Sequence, residues 1–440
     1  MGTVENVKLK YGEKELDFCI EGAKSIRYLY ENKMPVIKDI KEAFINSITS
    51  GVIDSAPLKE LVNADDKVTV IISDITRLWM RQDILCGILV EYLNTEMGVP
   101  FENIDVVIAL GTHRKNSEED KKKIAGEYTY KNVRVTDHDC DAADLAYIGT
   151  TSFGTEVFVN PLAVGRKVIC MGATVHHLMA GYGGGRKSIV PGIASRKTVR
   201  MNHERALDPK LPMSSRFIGS GKLGGNPINM DMCEAGRMVG VTFGINIVVD
   251  SASRHSGFFC GDFDSAWRES CAYVQKYYGL PIDGEADIVI ASCGGFPKDL
   301  NLYQSTKTLF NAARAVKKGG ALLFMAQCPE GSGAKDFFDW AKPLEEGRLD
   351  KALRENFTIG GYIFYAACEA CRKAETFLLS EIEPSLVKAM DITASSSLDE
   401  ILKRIDFKGK DIYIMPYGGS VMPQVETDYR ELCKNIEEGR

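Results

Sequence analysis

Apolar and polar positions along the chain fall into a repeating two-part unit. A short, nearly unbroken apolar run comes first, and a segment with apolar residues three and four apart follows it. KVTVIISD (67–74) precedes RQDILCGILVEYLNTEMG, and NIDVVIALG (103–111) precedes the charged SEEDKKKIAGEY. VGRKVICMGATV (164–175) and VGVTFGINIVVD (239–250) are further apolar runs. A run without polar alternation predicts a strand buried on both faces, and the 3.6-residue period predicts a helix that covers it. The alternation predicts an α/β fold: two domains, each with a mostly parallel sheet flanked by helices.

Near YYGLPIDGEAD the pattern is interrupted by Pro281 and two glycines, which marks a domain boundary. Beyond it, ADIVIASCGG, a helix from about Leu302 to Lys317, and GGALLFMAQ form a second strand–helix–strand unit. The strand DIYIMPYGG comes near the end of the chain. The expected division is 1–280 for the first domain, 281–412 for the second, and 413–440 as a segment returning to the first. ASSSLDEIL is a helix start that Ser397 or Asp399 can cap.

Composition narrows the function classes. The 440 residues suffice for more than one core, and 45% hydrophobic with 26% charged residues is the balance of a globular protein. A net charge of −6 argues against nucleic acid as the main partner, while leaving room for a local anion pocket. No apolar run approaches the roughly 18 residues of a membrane span, and the N-terminal residues lack a signal-peptide core. MGTVEN does not fit the myristoylation pattern. The expectation is a cytoplasmic enzyme. Twelve cysteines are scattered from Cys19 to Cys433. The one close pair, Cys368 and Cys371, reads as two reduced thiols on adjacent helical turns rather than a zinc site.

Open α/β sheets bind ligands beyond the carboxyl ends of their strands. Three polar clusters fall there: Asp74-Ile-Thr-Arg77, Gly111-Thr-His113-Arg114, and His176-His177 leading into GYGGGRKS. Of the six histidines, His138 and His255 lie in polar stretches and read as ordinary satisfied residues. His113 and His177 project from one sheet edge, and imidazoles titrating near neutral pH suit a pair of general bases. The glycine turn resembles a phosphate loop, yet Arg186 stands where the Walker pattern requires glycine. It reads equally as an anion-binding turn or as a tight turn with surface cations. Desolvation would alternatively make Lys187 a nucleophilic amine. In the second domain Tyr303, Gln304 and Lys307 open a helix, with Gln304 and Lys307 on one face, which reads either as an ordinary exposed helix start or as a grip for a carboxylate or phosphate.

SDITR, ALGTHR, HHLMAGYGGGRKSIVPG, MNH and YQSTK, in this order, resemble the nickel-pincer lactate racemase family. The resemblance runs from LKYGEKELDF to DIYIMPYGG. It implies two α/β domains with the active site in a cleft between them, and racemisation or epimerisation of a 2-hydroxy carboxylate. It implies a pyridinium-3,5-bisthiocarboxylic acid mononucleotide joined to Lys187 and carrying nickel, with His203 as the protein's metal ligand. Gly184, Gly185, Arg186 and Ser188 would surround that cofactor. His113 and His177 match the acid–base pair, with His176 one residue out of the spacing and left as an ordinary residue. Arg77 and Lys307 match substrate-anchoring cations, with Asp74, Tyr303 and Gln304 around them. The cofactor-synthesis enzymes would be transient partners.

The resemblance departs from its pattern late in the second domain. GGYIFYAACEAC (360–371) stands where many members carry a Gly-Gly-His-Lys-Ala segment. Tyr362, Phe364 and Tyr365 either line the cleft, which would admit a bulkier 2-hydroxy acid or a sugar acid, or pack a core. Two other functions compete: a phosphotransferase using GYGGGRKS as an irregular phosphate loop, and a non-catalytic anion- or cofactor-binding protein. The first leaves His113 and His203 without a task, and the second has no need of two bases.

Overall fold

The computed structural model describes residues 3–333 and 336–438. The chain divides into two compact units. The first comprises 34–209, 215–275 and the chain from Leu432 onward, and the second comprises the residues up to Lys33, 210–214 and 276–431.

The first unit is built on a six-stranded sheet. Its order is His255–Gly261, Phe243–Val249, Lys167–Ala173, Val68–Ser73, Ile104–Ala109, Arg134–Asp137. Only the edge strand His255–Gly261 is antiparallel to its neighbour. Val68, Val70, Ile71 and Ile72 are all fully buried, as a strand covered on both faces requires. The helix Gln82–Thr95 buries Leu85, Leu89 and Leu93, one turn apart, in the same core as Val70 and Ile72. The helix Glu118–Ala125 starts at a capping box on Ser117 and Asp120. It stops at Gly126, whose φ of +81° and whose approach to the Asp83 carbonyl exclude a side chain. From Val68–Ser73 the chain adds strands on one side and then returns to add Lys167–Ala173 on the other. The strand order therefore reverses at Val68–Ser73, the position where such sheets open a crevice.

The second unit has six parallel strands in the order Ile392–Ser395, Glu375–Leu379, Val316–Met325, Ala286–Ser292, Asp411–Met415, Ser25–Tyr28. A hairpin, Thr3–Tyr11 with Lys14–Ala23, lays Val7, Leu9, Phe18 and Ile20 against Ile288, Ile290 and Leu323.

This division corrects the expected domain limits. The chain up to Lys33 belongs with the second unit, because the hairpin's alternating apolar face is covered by that unit's sheet. Residues 413–431 also stay there, since Asp411–Met415 lies between two strands of the sheet and Ile412 and Ile414 are buried. Only the chain from Leu432 onward belongs to the first unit.

The segment 360–371 lies in the helix Ile359–Cys371 and is core packing. Tyr362, Phe364 and Tyr365 are 1%, 0% and 5% exposed. The Tyr362 hydroxyl bonds to Ser214, that of Tyr365 donates to Asp350, and Phe364 meets Phe337 edge-on. All twelve cysteines are free thiols, with Cys368 and Cys371 buried in this helix. Ser397 caps the helix Leu398–Leu402 as expected. Among the described residues no helix is long and apolar enough to cross a membrane.

Candidate active site

The strands Lys167–Ala173, Val68–Ser73 and Ile104–Ala109 are adjacent, so the polar residues after them meet at one edge of the sheet. Asp74 follows Val68–Ser73 directly and is 4% exposed. Its Oδ1 accepts from the Thr76 hydroxyl at 2.6 Å, and its Oδ2 lies 2.5 Å from His113 Nδ1. Burial opposes the Asp74 charge, yet the hydrogen bonds and charges of His113, Thr76 and Arg77 outweigh it and hold the carboxyl below its ordinary range. An ionised carboxylate only accepts, so Nδ1 of His113 carries the hydrogen and Nε2 carries the lone pair. Arg77 donates to the Thr76 carbonyl and hydroxyl, and it makes no ion pair among the described residues.

His177 is arranged the other way round. Its Nδ1 accepts from the backbone N–H groups of Met179, at 3.2 Å, and Ala180, at 3.1 Å. The neutral ring therefore holds its hydrogen on Nε2, which is 3.1 Å from Lys187 Nζ. Burial pushes the His177 ring well below its ordinary value, with the charges of Lys187, His203, Arg77 and Arg186 adding to it. Lys187 is pushed down to about 7 by burial, then by Arg186 and Arg77. A substantial neutral fraction near pH 7 makes its amine a nucleophile and an acceptor for the His177 hydrogen.

The glycine turn is a packing device. Gly185 has φ +48°, and a Cβ there would lie 2.7 Å from the Trp267 ring. The amides of Gly183, Gly185 and Lys187 donate to Val175, Asn246 and Gly184, so they are not available to cradle a phosphate. This removes the support for a phosphate loop. Arg186 is 1% exposed and is not a surface cation: its guanidinium lies 3.6 Å from the Trp267 ring centroid. Ser188 is 8% exposed and lies close to Gly172. His176 bonds to Gln275 Oε1 at 3.1 Å, an atom that also accepts from the Tyr182 hydroxyl, so its role is to brace the turn.

His203 ends the helix Arg196–His203 and is 2% exposed. Its Nδ1 donates to the Val199 carbonyl at 3.0 Å, which leaves the lone pair on Nε2, the state of a metal-binding imidazole. Burial, helped by the charge of Lys187, pushes it down to about 3, against the Val199 bond. The adjacent Asn202 donates to Asp231, a buried carboxylate that also accepts from Thr151 and Thr155 and fixes this end of the helix. Among the described residues no cluster of three or more His, Cys, Asp or Glu forms a metal site. His138 and His255 are buried and bonded to the carbonyls of Ala194 and Met80. In the second unit, Tyr303, Gln304 and Lys307 open the helix Leu302–Ala315, with Gln304 and Lys307 exposed and the Gln304 amide bonded to the cap residue Asn301.

Sequence reasoning missed Trp267, Asn246, Gln275 and Asp231. Trp267 donates to the Gly183 carbonyl from 84 residues away, and no local pattern signals such a contact. The one available clue was a buried-type tryptophan on an amphipathic helix, Ser265–Tyr278.

The chain is similar to proteins of known family. The model of the lactate racemase N-terminal domain matches residues 11–214, and that of the lactate racemase C-terminal domain matches residues 283–422. A lactate racemase of Thermoanaerobacterium thermosaccharolyticum is 30% identical over 345 residues, covering 78% of this chain and 79% of that protein. A lactate racemase of Lactiplantibacillus plantarum is 29% identical over 392 residues, covering 85% and 87%. The lactate racemase apoprotein structure from T. thermosaccharolyticum matches with a TM-score of 0.83 and 26% identity, over 96% of this chain and 100% of that chain. A Thermotoga maritima crystal structure shares the fold, with a TM-score of 0.65 and 17% identity over 90% of this chain and 100% of that one. By fold and relatives, the chain is an enzyme of the isomerase class. It belongs to the lactate racemase family.

Proposed function

We propose that the chain racemises or epimerises a 2-hydroxy carboxylate, lactate or a close relative, with His113 and His177 as its acid–base pair. One observation carries the reading: two imidazoles with opposite tautomers follow the strands on either side of Val68–Ser73, and the second touches a desolvated lysine amine.

The residues present fit a Lys-tethered nickel-pincer nucleotide. Covalent attachment needs an unprotonated amine, which Lys187 has near neutral pH. A metal that takes one protein ligand needs one imidazole lone pair, which His203 Nε2 presents. When bound, this group supplies the hydride acceptor for the carbon that inverts.

The protein's part is binding and proton transfer. Arg77 meets the substrate carboxylate, and Lys307 is proposed as a second anchor, with Tyr303 and Gln304 beside it. His113, its Nδ1 hydrogen held by Asp74, takes the hydroxyl proton at Nε2. His177 is the base for the opposite enantiomer: its neutral ring would take the hydroxyl proton at Nε2 after its own hydrogen shifts to Nδ1, and Lys187, once joined covalently, would no longer accept that hydrogen. A planar 2-keto acid accepts hydrogen on either face, so one imidazole on each side serves both enantiomers.

The test is alanine substitution in enzyme loaded by the cofactor-synthesis enzymes. His113→Ala and His177→Ala are expected to abolish optical inversion while nickel is retained, and His203→Ala to lose nickel. Loss of nickel in the first two with retention in the third would overturn the assignment.

A further inference from the structure

Arg186 is a fully buried cation with no carboxylate paired to it among the described residues. Such a group is costly unless its surroundings replace water. Here the surroundings are two backbone carbonyls and a ring face. Nη2 donates to the Ala180 carbonyl at 2.7 Å, Nη1 reaches the Gly183 carbonyl at 3.5 Å, and the guanidinium lies on Trp267. Its Nε is buried without a partner. Trp267 Nε1 donates to the same Gly183 carbonyl at 2.8 Å. The Ala180 amide, on the other side of that residue, is one of the two donors to His177 Nδ1.

The contacts form one chain. Trp267 seats Arg186, Arg186 ties Ala180, just before the glycine turn, to Gly183 within it, and the turn sets both the His177 ring and the Lys187 stem that follows it. We propose that Arg186 is a positioning residue whose fork across the Ala180 and Gly183 carbonyls, seated on Trp267, holds the Lys187 amine against His177 in a reactive arrangement. The proposal rests on the reading of Lys187 as the tether. His177, His203, Arg77 and Arg186 are the ionisable groups that act on this amine. Burial is the main reason that Lys187 is pushed down to about 7, and the charge of Arg186 comes second. A lysine of this type is about half neutral at pH 7, whereas an ordinary one near 10.4 is neutral in well under 1% of molecules.

The test is competitive acetylation of the full-length apo chain at pH 7 with limiting acetic anhydride, read by peptide mass spectrometry as Lys187 labelling relative to exposed Lys298. Wild-type Lys187 should label faster than Lys298. Arg186→Met, at a temperature where it remains folded, should lower that ratio at least tenfold. Arg186→Lys keeps the charge but cannot bridge two carbonyls or lie flat on the ring, so it should lower the ratio as well. A ratio within twofold of wild type in either folded variant overturns the proposal, whereas a purely structural role would change melting alone. Should neither variant fold, Trp267→Phe, which loses the bond to Gly183, is read in the same way with a smaller expected fall. Wild-type Lys187 labelling no faster than Lys298 would instead refute the reading of Lys187 as a reactive tether, whatever the variants do.

Discussion

Replacing Asp74 by Asn tests how His113 is set up for proton transfer. The side chain keeps its size, and one oxygen can still accept from Thr76, but the charge facing His113 Nδ1 at 2.5 Å disappears. An amide also presents N–H donors, which would favour the tautomer with the lone pair on Nδ1 and the hydrogen on Nε2, the wrong way round for a base. A hydrogen bond to a charged group is worth about 1.5–3 kcal/mol. The His113 side chain is 50% exposed, so solvent screening puts the effect near the lower end. About 1.5 kcal/mol corresponds to a roughly tenfold loss of kcat/KM. The sign with pH follows from the depressed Asp74 value. The stabilising pair is fully present above the unfolded carboxyl value of about 3.9, and is lost as pH falls through the lower folded value. Wild-type activity near neutrality is therefore not limited by Asp74. The assay is the initial rate of optical inversion from one enantiomer, with nickel content and Lys187 modification measured on the same sample. An Asp74→Asn enzyme within twofold of wild type, equally loaded, would refute this role.

Two further substitutions probe the frame around the site. Gly185→Ala puts a Cβ against Trp267 at a positive φ, and backbone strain plus overlap should cost about 2–4 kcal/mol, seen as a lower Tm. An unchanged Tm would mean that the turn does not rest on the ring. Tyr362→Phe removes one buried hydrogen bond to Ser214 and should cost about 1 kcal/mol of stability, with the ranking of substrates among 2-hydroxy acids unchanged. A changed ranking would return this helix to the substrate site.

Both sheets were legible because strands such as Val68–Ser73 and Ala286–Ser292 are buried on both faces and therefore read as unbroken apolar runs. The placement of Asp74, His113 and His177 on one edge was legible for a related reason: in a parallel sheet every strand ends on the same side. What the pattern did not reveal was which sheet covers a given apolar face. The hairpin Thr3–Tyr11 with Lys14–Ala23 alternates plainly, yet nothing in it says that its partners are Ile288 and Leu323. The same limit hid the supports of the site. Arg186 beside Lys187 read equally as part of an anion-binding turn or as a surface cation, and only the fold brings Trp267 beneath it. Asp231 likewise gains its meaning only once Thr151, Thr155 and Asn202 converge on it.

The central claim is that Lys187 is a covalent tether whose neighbours His177 and His203 serve proton transfer and metal binding. The most direct test is mass spectrometry of the chain coexpressed with the cofactor-synthesis enzymes in nickel medium, with metal measured on the same protein. The account predicts an added mass confined to the peptide carrying Lys187, stoichiometric nickel, and neither in Lys187→Ala. An unmodified Lys187 in protein that nevertheless inverts a 2-hydroxy acid would contradict it.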